Sequence, residues 1–112
     1  MMKRHVIDGV EVWEGSGNVF ADLGLPNAED LQIKSALVGE IAKAMRRRGL
    51  TQQAAAEIVG IPQPRLSAAL RGDFSKLSER KLMDSLNRLG YDIEIKVKRT
   101  RKAVGCRLLA LA

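Results

Sequence analysis

The stretch GLTQQAAAEIVGIPQPRLSAALRG, from Gly49 to Gly72, constrains the fold of this chain more than any other feature. Two short helical patterns flank Gly60, and the second opens on Gln63-Pro64-Arg65. Thr51 is placed to cap the first helix, because its hydroxyl can accept from an unpaired N–H of the first turn. Gly60 ends that helix, and Ile61 is extended because a residue before proline avoids helical backbone. Pro64 falls in the first turn of the next helix, where a missing N–H loses nothing. Two helices joined by three or four residues that include a glycine make a helix-turn-helix. Ala56 is small where the helices approach most closely, and Ala55, Val59, Ile61, Leu66, Ala69 and Leu70 fall on the inward side.

The flanks extend this reading. From Ala28 to about Arg48, Ile33, Leu37, Ile41 and Met45 recur every four residues with Val38 beside them, which predicts a helix. Lys43, Arg46, Arg47 and Arg48 crowd its last turns, where positive charge suits the helix dipole. Ser78 is placed to cap a further helix through Leu82, Leu86 and Leu89, closed by Gly90. YDIEIKV then alternates strictly, with Tyr91, Ile93, Ile95 and Val97 on one side, and reads as a half-buried strand. The fold class expected is mainly α, with four to five helices and a C-terminal β-strand.

Four stretches follow. Residues 1–26 are an N-terminal extension in which HVIDGVEV could form a short hairpin around Asp8-Gly9. Phe20, Leu23 and Leu25 are expected to pack on the domain, and Asn27 to cap the first helix. Residues 27–90 hold the helix-turn-helix, residues 91–98 the strand, and residues 99–112 a basic run, read as mobile, and then an apolar tail. A chain of 112 residues suits one small domain.

Charge points to the partner. The net charge is +6, but residues 1–45 carry four basic and seven acidic side chains, whereas residues 46–112 carry 15 basic and six acidic. A basic half suits a polyanion, most often nucleic acid. Against that face, the helix beginning at Gln63 turns Leu66 and Leu70 inward and leaves Pro64, Ser67, Ala68 and Arg71 outward, with Arg65 on a flank and no acidic side chain among them. A helix entering a major groove needs such a surface, short and unopposed by phosphate. Gln63 and Ser67 are assigned to hydrogen bonds with bases, and Ala68 and Pro64 to thymine methyls. Arg65 and Arg71 could reach a base or a phosphate. Thr51, Gln52 and Gln53, at a helix N-terminus, and Lys76 are assigned to the DNA backbone.

Residues 19–95 resemble the phage-repressor (Xre, lambda-repressor-like) helix-turn-helix family, and within it a group of small proteins related to HigA-type antitoxins. The resemblance implies a lambda-repressor-like helical domain, usually a homodimer on a palindromic double-stranded DNA operator; the single cysteine fits a cytoplasmic location. It implies a backbone-clamping role for Gln52 and the first base-reading role for Gln63. HigA-type members repress their own operon and neutralise a RelE-like ribonuclease toxin; plain Xre-type regulators share the motif without a toxin partner. Pro64 and Ala68 stand where the family often carries polar readers, so hydrogen-bonded readout is expected to be sparse.

The strand Tyr91–Val97 needs a partner for its backbone and apolar face. A second copy of the chain could supply it, making Tyr91, Ile93, Ile95 and Val97 a dimerisation surface; the N-terminal hairpin could supply it instead. Arg99, Arg101, Lys102 and Arg107 could trail along phosphates or lie solvated. Trp13 could dock on the domain or on a partner, His5 is expected at the surface, and Cys106 is incidental.

Other functions find little footing. One cysteine and one histidine cannot form a disulfide framework or a metal cluster, and no cofactor site is expected. The lone histidine has no orienting partner for a catalytic triad, so no enzyme is expected. Aromatic residues make up only 4%, which argues against the stacking platforms of single-stranded RNA binders. The N-terminus lacks a secretory pattern and no run approaches membrane-spanning length.

Overall fold

The computed structural model describes the backbone of residues 4–7 and 10–13 and the whole of residues 28–111. Strands β1 (Arg4–Ile7) and β2 (Val10–Trp13) precede helices α1 (Ala28–Arg48), α2 (Gln52–Val59), α3 (Gln63–Leu70) and α4 (Glu79–Arg88), and strand β3 (Ala110–Leu111) follows. The chain divides into two compact units, residues 34–94 and the combination of residues 1–33 with 95–112.

In the unit of residues 34–94, helix boundaries follow local chemistry. Thr51 Oγ1 accepts from the Ala54 N–H at 3.1 Å, and Ser78 Oγ accepts from the Lys81 N–H at 3.1 Å. Each such cap is worth about 1 kcal/mol. Gly60 closes α2 in the left-handed region, φ 71°, and its N–H donates to the Ala56 carbonyl at 2.9 Å. That reversal starts α3 only three residues later, with Pro64 in its first turn. The core is aliphatic: Leu37, Ile41 and Met45 of α1, Ala55, Ala56 and Val59 of α2, Leu66 and Ala69 of α3, and Leu82 and Leu86 of α4 are buried, joined by Ile61, Phe74, Leu77 and Leu89. Ala56 is among them, as the close approach of α2 and α3 requires. Leu70 is only half-buried. The one buried polar side chain of the described residues, Ser85, donates its hydroxyl to the Lys81 carbonyl at 2.8 Å.

Tyr91 ties down the chain just after α4. Its N–H donates to the Leu86 carbonyl at 2.9 Å, its own carbonyl accepts from Asn87 Nδ2 at 3.0 Å, and Arg47 Nη2 donates to its hydroxyl. The Arg47 guanidinium also lies 5.2 Å from the ring centroid.

The other unit carries a three-stranded antiparallel sheet in the order β1-β2-β3. β1 meets β2 in the register Arg4↔Trp13 to Ile7↔Val10, which leaves Asp8-Gly9 between the strands. β3 meets the other edge of β2, with Glu11↔Leu111 and Val12↔Ala110. Here the structure departs from expectation. Within the chain Tyr91–Val97 joins no sheet, and the place beside the hairpin is taken by Ala110–Leu111, from the apolar tail. Alternation marks a segment that can be extended; it does not choose the partner. With this pairing the tail falls in the unit of residues 1–33 and 95–112.

Arg107 fastens that return. Its guanidinium pairs with Glu29 Oε2 at 3.6 Å and, off the hydrogen-bonding axis, with Asp30 Oδ1 at 2.8 Å, and its backbone N–H donates to Glu29 Oε1 at 3.4 Å. Arg107 is therefore held by two acids of the first turn of α1 and is not a free phosphate ligand. The expected Asn27 cap, the packing of Phe20, Leu23 and Leu25, and the side chains of His5 and Trp13 lie outside the described residues.

Candidate nucleic-acid interface

The geometry of the site begins with two helix starts. Gln52 is the first residue of α2 and Gln63 the first of α3. Gln63 Nε2 donates to Gln52 Oε1 at 3.2 Å, so one amide orients the other. Gln52 is exposed and Gln63 half-buried. The pairing leaves Gln63 with its carbonyl and one N–H unspent, and Gln52 with its whole amino group. Such an acceptor–donor edge can meet a base, and such an amino group can meet a phosphate. Thr51 and Gln53 flank this pair, both exposed, although the Thr51 hydroxyl already serves as the cap.

The outward face of α3 is compact. Pro64, Arg65 and Arg71 are exposed, and Ser67 and Ala68 half-buried. α3 has no acidic residue. Arg71 Nη1 donates to Ser67 Oγ at 2.9 Å, one helical turn away. This ties together two residues that the sequence assigns separately, and it draws the Arg71 guanidinium along the exposed face of α3. The bond still leaves most of the guanidinium's donor fork open. Lys76 is exposed in the loop after α3. It shares with Arg65 a hollow of about 310 Å³ lined also by Pro62, Pro64, Ala68, Asp73 and Leu77.

Sequence reasoning missed three features here. The Gln52–Gln63 bond spans eleven residues and depends on how the two helices cross. The Ser67–Arg71 bond was legible in principle, since residues four apart share a helical face. Asp73 brings a carboxylate beside the otherwise acid-free ridge; the loop folds back through its N–H to the Ala68 carbonyl at 2.9 Å, and Ser75 Oγ donates to Asp73 Oδ1 at 3.0 Å. Among the described residues there is no cluster of three metal-ligating side chains, and no helix is long and apolar enough to cross a membrane.

The chain is similar to known helix-turn-helix proteins. A family described as "Helix-turn-helix domain" matches residues 19–98. A solved structure named "Putative XRE Family Transcriptional Regulator" superposes with a TM-score of 0.64 and 33% sequence identity, covering 73% of this chain and 92% of that one. No curated protein matches the sequence.

Proposed function

We propose that this chain, which belongs to the helix-turn-helix domain family and within it to the Xre type, is a sequence-specific DNA-binding transcriptional repressor that acts in the cytoplasm as a homodimer on a palindromic operator. The observation that carries this reading is the Gln52–Gln63 hydrogen bond at the head of an exposed, acid-free helix. Gln52 holds a backbone phosphate and at the same time sets the rotamer of Gln63, which reads a base edge. Ser67 and Arg71 act together on the bases further along, Ala68 and Pro64 touch thymine methyls, and Arg65, Lys76, Thr51 and Gln53 reach the backbone.

The dimer uses Tyr91, Ile93, Ile95 and Val97. Ile95 and Val97 are 77% and 95% exposed, and their segment makes no ladder within the chain. Beyond Tyr91, whose N–H and C=O are already bonded, the backbone N–H and C=O groups of this alternating segment are completed by an antiparallel copy of itself. Two copies then present two α3 helices to half-sites about one helical turn apart. Selection from a random duplex pool tests the reading: an enriched inverted repeat supports it, and a pool that stays random after selection rejects it.

The finer part of the proposal is the antitoxin role, in which the same protein also silences a RelE-like nuclease. Resemblance to HigA-type proteins over residues 19–95 supports it. Co-expression with the product of an adjacent short basic reading frame tests it: rescue of growth supports the role. If no toxic neighbour exists, the protein is a stand-alone Xre-type regulator.

A further inference from the structure

Residues 96–102 read KVKRTRK, five cations in seven positions, and no acid occurs from Ile95 to the C-terminus. Lys96, Lys98, Arg99, Arg101 and Lys102 are all exposed, and none pairs with an acid among the described residues. Such a density of one sign is self-repelling unless something of opposite charge lies against it.

The segment is also shaped. The Lys102 N–H donates to Thr100 Oγ1 at 3.3 Å, and the Thr100 side chain lies 3.5 Å from where a Cβ on Gly105 would sit. The chain therefore turns around Thr100 and comes back beside itself. The returning strand ends in the Arg107 contacts with Glu29 and Asp30 and in the pairing of β3 with β2. Arg107, the one cation of the tail with acidic partners among the described residues, works as the fastening, and the five unpaired cations are left on the outgoing limb and at the turn.

From this we infer that residues 96–102 form a basic arm that grips the sugar-phosphate backbone of the DNA duplex bound by α3. The inference rests on the regulator reading above. Charge chooses this occupant over a basic protein partner, which the arm would repel. Spacing agrees: the outgoing limb, with Lys96, Lys98 and Arg99 in four residues before the turn at Thr100, can span at most about 13 Å. Phosphates of one strand succeed each other about every 3.4 Å along the axis, so several lie within that span. The arm presents no acceptor-rich or aromatic surface for base reading, so it adds affinity and salt dependence without sequence preference.

The test is the salt dependence of binding to the selected duplex. Replacing Lys98, Arg99, Arg101 and Lys102 together by Gln removes four exposed charges without touching the buried core. The expected result is a plot of log K against log salt that flattens by about 0.9 for each phosphate a protomer no longer neutralises. Binding at low salt should weaken at least about tenfold, and the selected sequence should stay the same. A second measurement uses the full unmutated chain. Its single cysteine, Cys106, is exposed beside the arm, and an iron chelate attached there should cut the duplex at fixed positions relative to the site. An unaltered salt slope in the quadruple variant, or no cutting from Cys106 above the level of free chelate, overturns the arm. Failure of the wild-type chain to enrich any duplex would instead overturn the regulator reading itself, so the two failures are distinguishable.

Discussion

Gln63 donates its side-chain amide to the Gln52 carbonyl oxygen across 3.2 Å, and so joins the first residues of two successive helices. If Gln52 acts on DNA partly by holding Gln63, the two cannot be energetically independent. In a double-mutant cycle, Gln52→Ala and Gln63→Ala are each expected to weaken binding to the selected duplex by about 1–3 kcal/mol. Their combined loss should fall short of the sum by about 0.5 kcal/mol or more. Anisotropy titrations of the four proteins check this; strict additivity would show that the bond has no part in binding.

Arg71 and Ser67 allow a similar distinction between base and backbone. Arg71→Lys keeps the positive charge but loses the planar fork that can meet guanine twice. If Arg71 reads a base, the lysine variant retains most non-specific affinity and loses about 1–3 kcal/mol of discrimination at one position of the site. Ser67→Ala should blur the same position, because it frees the guanidinium from its anchor at 2.9 Å. A repeated selection with each variant reads this directly. An unchanged site with a reduced salt slope would assign Arg71 to phosphate.

Gly60 and Gly39 should respond to alanine with opposite signs. Gly60 sits at φ 71°, and its nearest non-local neighbour is the flexible end of Arg88 at 3.2 Å, so the cost is conformational. Gly60→Ala is expected to destabilise by about 1–2 kcal/mol, with a Tm fall of about 4–8 °C for each kcal/mol. Gly39 lies inside α1 with nothing within 4 Å of a new Cβ, so Gly39→Ala should stabilise by about 0.8–1 kcal/mol. Thermal unfolding followed by circular dichroism measures both.

Much of the helical unit was legible because its signals are local. Thr51, Ser78, Gly60 and the Ile61-Pro62 step act within a turn of the chain, and the helices begin and end beside them. Contacts that depend on how elements meet were not legible. The Arg107–Glu29 contact joins residues 78 apart, and the two-residue strand Ala110–Leu111 has too little pattern to be seen before its partner is known. Of the assigned DNA-facing residues, sequence placed them on one helix and its approach. It could not show that Gln63 arrives already bonded to Gln52, eleven residues away, whereas the Ser67–Arg71 bond lay within reach of helical spacing.

Ile95 and Val97 separate dimerisation from folding. Both side chains are largely exposed in the single chain, so Ile95→Glu with Val97→Glu should leave its helical unit intact by circular dichroism. Like charges placed opposite each other across a paired strand are destabilising. Sedimentation equilibrium should then shift from dimer toward monomer, with loss of binding to the two-half-site duplex. A double variant that remains dimeric would place the interface elsewhere.

Everything proposed for this protein requires the ridge begun by Gln63 to read sequence in a duplex. That requirement is met or refuted by equilibrium binding of the wild-type chain to the selected duplex and to a scrambled duplex of the same length, at about 0.15 M salt. Binding to the selected site is expected to be at least about 10³-fold tighter, with most of that preference lost in Gln63→Ala. Equal affinity for both duplexes, or a preference untouched by that substitution, would contradict it.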